Sequence, residues 1–426
     1  MKKKFIAVIA TVVVLATLFS VGASAASERW TANNVHAPNY DDVAYSFALV
    51  GDTQVLTSYD ADTGTGTPVP ANRKGHNYVK NIYKWIVDKK EDKKIAYVFG
   101  LGDITQNSAW GTSASAVAQR ACLEPEWRVA KEAISQLDGV LPYSMVRGNH
   151  DNKEKFIETF DTDVYKGQFA GTYKNINNTY RTFDICGEKY LFITIDYAAT
   201  RDIFNWAGGI IQQHPDRKVI ISTHGYMNNN GTLLNQSTNN VWNGSTDAGT
   251  GGLVGEYMWD LLIKKYENIF MILCGHFDSD CPQIIPVEGD NGNTVYQVLV
   301  NPQGVDIVDP IGTVAMLSFS KDGSTFWVEY YSTVKNKYYD LTPATTGHEQ
   351  YTNYEFVYSE PRFTATEATT TAEPVPTSTP TYTAATTTTT VDEATGGCGG
   401  EVLGIFTALP LIAGCSAVAL KKKRKK

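Results

Sequence analysis

Apolar residues along this chain follow two spacings in its first part and only one after residue 280. Short runs rich in β-branched and aromatic residues, at 47–50, 95–99, 144–146, 191–195, 219–221 and 269–273, read as buried strands. Between some of them the spacing becomes helical. From Val79, the residues Tyr83, Ile86 and Val87 follow at i+4, i+7 and i+8, and Trp127, Ala130, Ile134 and Leu137 fall at i, i+3, i+7 and i+10. A third helix is expected over 253–266, leading into the strand at 269. After Asp280 the pattern is β only, at 283–287, 294–300, 313–318 and 325–331. Strand–helix alternation followed by a β-rich half predicts an α/β fold, with stacked sheets covered by helices.

The ends of the chain have a different composition. Lys2, Lys3 and Lys4 precede an apolar stretch at 5–19 and a small-residue exit, Ala23-Ser24-Ala25, so 1–26 is expected to be a secretory signal peptide. The domain is expected over 27–362. Residues 363–397 are dominated by Thr, Ala, Pro and Ser, which cannot bury a core and are expected to form a linker or stalk. Residues 398–426 hold a Gly-Cys element around Cys398, an apolar run at 402–420 and a basic tail, 421–426. That run is just long enough to span a membrane, and the positive-inside rule keeps the tail cytoplasmic. The domain is therefore expected outside a bacterial cell, tethered to its surface. Cys398 is either a processing or lipid-attachment point or part of a plain hinge.

Charge and cysteines add less. The formal net charge is −8, and the basic residues concentrate at both ends. No basic stripe with interleaved aromatics crosses the middle, so nothing points to a nucleic-acid partner. The domain would keep Cys122, Cys186, Cys274 and Cys281. Cys274 and Cys281 either bridge a loop or Cys274 simply ends a buried strand, and its neighbours Ile272 and Leu273 favour the second reading.

The candidate chemistry sits where strands end. Gly51-Asp52, Gly102-Asp103, Gly148-Asn149-His150-Asp151, His224 and Gly275-His276 each follow an apolar run. Strand ends that deliver Asp, Asn and His from distant points of the chain to one sheet edge make a metal site for Mn, Fe, Zn or Mg. Two polar stretches close to these motifs, 57–76 and 228–252, are expected to wall a substrate cleft. Of the remaining histidines, only His76 is a plausible extra substrate contact.

In order and spacing these motifs resemble the calcineurin-like metallophosphoesterases, over roughly residues 45–280. The resemblance implies an α/β/β/α sandwich of two mixed sheets flanked by helices. It also implies two divalent metal ions sharing a water or hydroxide, and hydrolysis of a phosphomonoester or phosphodiester. It places Asp52, Gln54, Asp103 and Asp278 at the first ion, and Asp103, Asn149, His224 and His276 at the second. His150 becomes the general-acid or phosphate-stabilising residue, with Asn149 beside it at the substrate. Asp151 is expected to stand behind the His150 imidazole, fixing its tautomer and raising its basicity. Arg147 either reaches a phosphate oxygen or caps a strand at the surface. Gln54 and Asp278 stand where the family usually has His, so the first site offers only oxygen donors and should prefer Mn²⁺ or Mg²⁺. A catalytically degenerate surface-binding module is the alternative function.

Overall fold

The computed structural model describes residues 30–32, 38–64, 68–108, 114–197, 199–235, 255–340 and 355–358. The chain divides into two units, 1–372 and 373–426, and the second lies wholly outside the described residues, as do the expected signal peptide, stalk and anchor. Among the described residues no helix is long and apolar enough to cross a membrane.

The chain opens with β1 (Trp30–Thr31), β2 (Val43–Val50), the helices α1 (Gln54–Asp60) and α2 (Tyr78–Asp88), and β3 (Ile95–Gly100). Helix α3 (Ala114–Ile134), β4 (Tyr143–Met145) and the short helices α4 (Lys153–Phe160) and α5 (Asp163–Lys166) follow. A second group of strands starts with β5 (Gly171–Tyr173), β6 (Asn175–Ile185) and β7 (Glu188–Thr194), then α6 (Arg201–Gln213) and β8 (Lys218–Ser222). It continues through α7 (Glu256–Leu261), β9 (Ile269–Cys274), β10 (Gln283–Glu288) and β11 (Thr294–Leu299). After α8 (Gln303–Val308) the chain returns to the first sheet with β12 (Thr313–Ser320), β13 (Thr325–Ser332), β14 (Lys337–Tyr339) and β15 (Glu355–Val357).

Two mixed sheets result. One runs β1-β14-β13-β12-β2-β3-β4, with β15 also on β13, and the other runs β10-β11-β9-β8-β7-β6-β5. Strands β2, β3 and β4 are parallel, as are β7, β8, β9 and β11. Their carboxyl ends are the ends that carry the motifs.

Strand periodicity explains the layering. On β2, Tyr45, Phe47 and Leu49 point between the sheets, while Ala48 and Val50 point to the helices α1 to α3. On β7, Tyr190 and Phe192 face the first sheet, and Leu191 and Ile193 face α6 and α7. Both faces are buried, so the strands read as continuous apolar runs rather than as alternation. The seam is aromatic: the Phe47 ring lies 5.5 Å from both Tyr190 and Phe192 and 5.2 Å from Phe319. A Tyr45–Tyr190 hydroxyl pair at 2.7 Å links the sheets and satisfies both buried groups. This is the expected α/β/β/α sandwich of two mixed sheets flanked by helices.

Three expectations change. The helix over 253–266 is shorter: α7 ends at Leu261, and Leu262, with φ −134°, breaks to a 3-10 turn at Ile263–Lys265. Leu262 and Ile263 are fully buried, so the chain turns inward to fill the core instead of continuing the helix. The β-only half contains α8, whose sequence QGVDIV carries no helical apolar stripe. Its Asp306 is fully buried and accepts from the backbone N–H of Ile311 (2.7 Å) and Gly312 (3.2 Å), which stabilises the turn out of the helix. The polar stretch at 57–76 begins inside α1. Arg73 then pins it to α8 through the carbonyls of Ile307 (2.5 Å) and Val308 (2.7 Å). No disulfide joins the cysteines of the described residues, and Cys274 and Cys281 are both buried.

Two stability predictions follow from this packing. Phe47→Ala removes the ring on which the seam converges and should cost about 3–5 kcal/mol, read from urea denaturation. A loss under about 1 kcal/mol would contradict the packing described. Burial raises Asp306 to about 7 against an ordinary 3.8. The folded state then binds more protons than the unfolded state between those values, so stability falls as pH rises through that window. Asp306→Asn keeps an acceptor for both amides and should remove that part of the pH dependence of the urea midpoint.

Candidate metal centre

The motif residues come together at the joined carboxyl ends of the two sheets. Asp52 follows β2, Asp103 follows β3, and 148–151 follow β4, all from the first sheet. His224 follows β8 and His276 follows β9, from the second. The His224 Nδ1–H donates to the Leu101 carbonyl (2.8 Å), tying the end of β3 to the end of β8. Its Nε2 is thereby turned toward Asp103 Oδ2 (3.2 Å) and Asn149 Oδ1 (3.0 Å). His276 presents Nδ1 to the same Asn149 oxygen at 2.8 Å. Ligand atoms of Asp103, His224 and His276 all lie within 4.8 Å of one another.

This convergence requires unusual backbone. Asp52, Asp103 and His276 all have positive φ, at 52°, 49° and 80°. Such conformations cost of order 1–3 kcal/mol each in non-glycine residues and persist where the surroundings enforce them. The preceding glycines have a steric role. A Cβ on Gly148 would lie 2.1 Å from Asp103 Oδ1, and one on Gly275 would lie 2.2 Å from Asp52 Oδ2.

The electrostatics suit a cation. Burial alone would raise Asp103, but the neighbouring His224, His150 and His276 outweigh it and hold the carboxyl well below its usual range. Burial pulls His224 down, yet the Asp103 and Asp52 carboxylates bring it up to about 9. A divalent ion can take the place of that proton in the same negative field. Burial and then the charge on His224 lower His276 to about 3, which keeps it the neutral imidazole a ligand must be. The second-site residues Asp103, Asn149, His224 and His276 therefore fit a borderline divalent ion.

The first site fits less completely. Asp52 is buried, and burial raises its pKa well above the usual value while its carboxylate accepts from the His276 N–H at 3.0 Å and 3.2 Å. Gln54, fully buried at the start of α1, donates from Nε2 to Asp103 Oδ2 (3.2 Å), and its Oε1 has no partner among the described residues. That oxygen is a ready ligand. Asp278 lies with Oδ2 against Gly304, whose backbone N–H it accepts, and the Asn229 side chain donates to its carbonyl at 2.8 Å. Asp52, Gln54 and Asp103 are thus gathered, and the Asp278 carboxylate, beside Gly304 at the start of α8, is near enough for its charge to help raise Asp52.

Asp151 does not stand behind His150. Its carboxylate accepts from Gly148 N (2.8 Å), Thr105 N (2.9 Å) and Thr105 Oγ1 (3.2 Å), so it fastens the loop after β4 to the loop after β3. His150 instead donates from Nδ1 to the Gln106 carbonyl at 2.9 Å, and its backbone N–H donates to Asp103 Oδ1 at 2.8 Å. Arg147 is not a surface residue: it is 2% exposed and its Nε pairs with Asp196 at 2.8 Å. Asn177 donates to the other oxygen of Asp196 at 2.9 Å. His76 stacks on Tyr78 and bonds the Asn72 carbonyl. Sequence reading passed over Tyr197, one residue beyond Asp196. Its ring packs 5.6 Å from His224 and 5.7 Å from His276, and its position after β7 was the only available signal.

A family model for calcineurin-like phosphoesterases matches residues 45–278, more than half of the chain, so the chain belongs to that family. The family's name is that of phosphoesterases, and divalent ions are the metals that the donors gathered here suit. The chain is also 28% identical over 272 residues to the uncharacterized protein YvnB of Bacillus subtilis (strain 168), covering 60% of this chain and 19% of that one. It thus spans about a fifth of that relative's length. Among solved structures, a dimetal phosphatase from Danio rerio superposes with a TM-score of 0.40 and 10% identity, over 68% of this chain and 97% of that one. GAP50, the anchor in the inner membrane complex of Plasmodium, gives a TM-score of 0.39 and 12% identity, over 74% and 89%.

Asp103→Asn removes the charge at the centre of the cluster. It should weaken Mn²⁺ binding by at least about 10-fold in calorimetric titration. Undiminished affinity would contradict the assignment of Asp103 to the metal.

Proposed function

We propose that the protein is an exported, surface-tethered phosphoesterase that hydrolyses small phosphomonoesters or phosphodiesters with two divalent ions, the oxygen-rich first site taking Mn²⁺ or Mg²⁺. The observation that carries the reading is the convergence of Asp103, Asn149, His224 and His276 on one point with His150 beside it. When bound, the ions supply Lewis-acid charge to a phosphate oxygen and acidify water.

The side chains account for the remaining chemistry. His150 is held by two bonds, one through its backbone and one through Nδ1, which leaves Nε2 for the substrate. From there it stabilises a phosphate oxygen or, once protonated, gives a proton to the departing alkoxide. Asn149 orients the second-site histidines with one oxygen and sits beside the same phosphate. Arg147 has its Nε committed to Asp196, which holds the end of β4 beside the site. We assign the cleft walls and the selectivity to the stretch pinned by Arg73 and to the expected 228–252 stretch, of which 236–252 lie outside the described residues.

Export and tethering rest on the sequence: a basic start, an apolar core and a small-residue exit at one end, a stalk and an apolar run with a basic tail at the other. The second reading, a degenerate binding module, is favoured by one observation. The Gln54 amide nitrogen donates to the Asp103 oxygen that a first ion would share, while Asp278 engages Gly304.

His150→Ala decides between the two readings. Hydrolysis of p-nitrophenyl phosphate and its bis ester should fall by about 100-fold or more, with metal content and thermal midpoint unchanged. Full activity in that variant would overturn the assignment of His150. Protease treatment of intact cells should remove the domain, and protection from it would overturn surface display.

A further inference from the structure

We propose that Glu126, on helix α3 and outside every motif, is a positioning residue for His150, acting through the peptide group between Gln106 and Asn107. This rests on the phosphoesterase reading above.

Glu126 is fully buried. Its Oε2 accepts from the backbone N–H of Gln106 and of Asn107, both at 3.0 Å. Its Oε1 accepts from the Asn107 side-chain amide and the Thr63 hydroxyl, both at 2.5 Å. A carboxylate taken out of water is costly unless its lone pairs are filled, and here four uncharged donors fill them. One of these donors explains the placement. The Asn107 N–H belongs to the same peptide group as the Gln106 carbonyl, and that carbonyl accepts from His150 Nδ1 at 2.9 Å. The result is a continuous line: carboxylate, peptide N–H, peptide carbonyl, imidazole N–H.

A negative charge on the N–H side of a peptide polarises it and strengthens its carbonyl as an acceptor, because hydrogen bonds in a chain reinforce one another at low dielectric. Glu126 thus does across one peptide what a carboxylate in direct contact with an imidazole does without one. It keeps the proton on Nδ1 and the ring in one orientation. The Gln106 side-chain amide lies 3.3 Å from the same Nδ1, so turning its oxygen inward gives that N–H a second acceptor. Asp151, the residue expected in this role, holds the neighbouring Thr105 peptide and completes the loop's fixation. A role limited to pinning the loop depends on shape. The proposed role depends on charge, and that difference can be measured.

The test uses the full chain with ¹⁵N-labelled histidine, comparing wild type, Glu126→Gln and Glu126→Asp. Glu126→Gln keeps the size and removes the charge. It should lower kcat by about 10–100-fold while KM stays within about two-fold and metal content is unchanged. The His150 ring should shift from the Nδ1–H tautomer to a mixture in its nitrogen spectrum. Glu126→Asp, shorter but charged, should retain more activity and more of the Nδ1–H form than Glu126→Gln. An unaltered ring spectrum in Glu126→Gln, or equal losses in the two variants, would overturn the proposal. Should Glu126→Gln not fold, Thr63→Val removes a single donor and decides in its place. A fall of a few-fold in kcat with the same spectral change supports the relay, and no change in either overturns it. If the wild type hydrolyses no ester, the phosphoesterase reading fails, while the ring spectra still decide whether Glu126 sets the tautomer.

Discussion

A buried carboxylate gathered among histidines is the constraint around which this molecule is built. Asp103 is 2% exposed, yet the neighbouring His224, His150 and His276 hold its carboxyl well below its usual range. The His150 backbone, the Gln54 amide and His224 approach its two oxygens. Each comes from a different segment, and each must be placed to within a few tenths of an ångström for the bond to form. The fold can be understood as the means of meeting that requirement. Two mixed sheets meet along an aromatic seam, and the carboxyl ends of their parallel strands emerge on the same side. No single sheet would bring both the β3 turn and the β8 turn to one carboxylate.

The cost appears in the backbone. Three candidate ligand residues adopt left-handed conformations, and glycines stand where any side chain would strike a carboxylate. Such strain persists because the seam beneath is dense and the loops above are cross-tied. Asp151 joins the loops after β3 and β4, and the Leu101 carbonyl joins β3 to β8. Stability in the core is thereby used to hold a geometry that local propensity opposes.

Much of this was legible in the sequence, for a physical reason. Strands buried on both faces leave unmistakable apolar runs, and a Gly followed by Asp, Asn or His at the end of such a run has few structural uses. The layering, the strand ends and the gathering of Asp103, Asn149, His224 and His276 could therefore be read directly. What could not be read depends on partners brought close only by folding. Asp151 looks like the companion of His150 because the two are adjacent in sequence, but both reach the loop after β3 at different groups, Asp151 at the Thr105 N–H and His150 at the Gln106 carbonyl. Glu126 carries no signal at all: one glutamate among others on a helix, distinguished only by burial. Helix α8 was missed because it is stabilised by the Asp306 turn and by Arg73 rather than by an apolar stripe. Asp278 occupies a motif position, yet it engages an amide at the start of that unforeseen helix.

The central claim is that this donor set exists to hold divalent metal for phosphoester hydrolysis. The most direct test strips the purified protein of metal and follows hydrolysis of bis-p-nitrophenyl phosphate and p-nitrophenyl phosphate as Mn²⁺, Mg²⁺, Ca²⁺ or Zn²⁺ is returned. The account predicts negligible turnover in the stripped protein and recovery on adding metal, strongest with Mn²⁺ or Mg²⁺ because the first site is oxygen-rich. Equal turnover with and without metal, or none with any of the four ions, would contradict it.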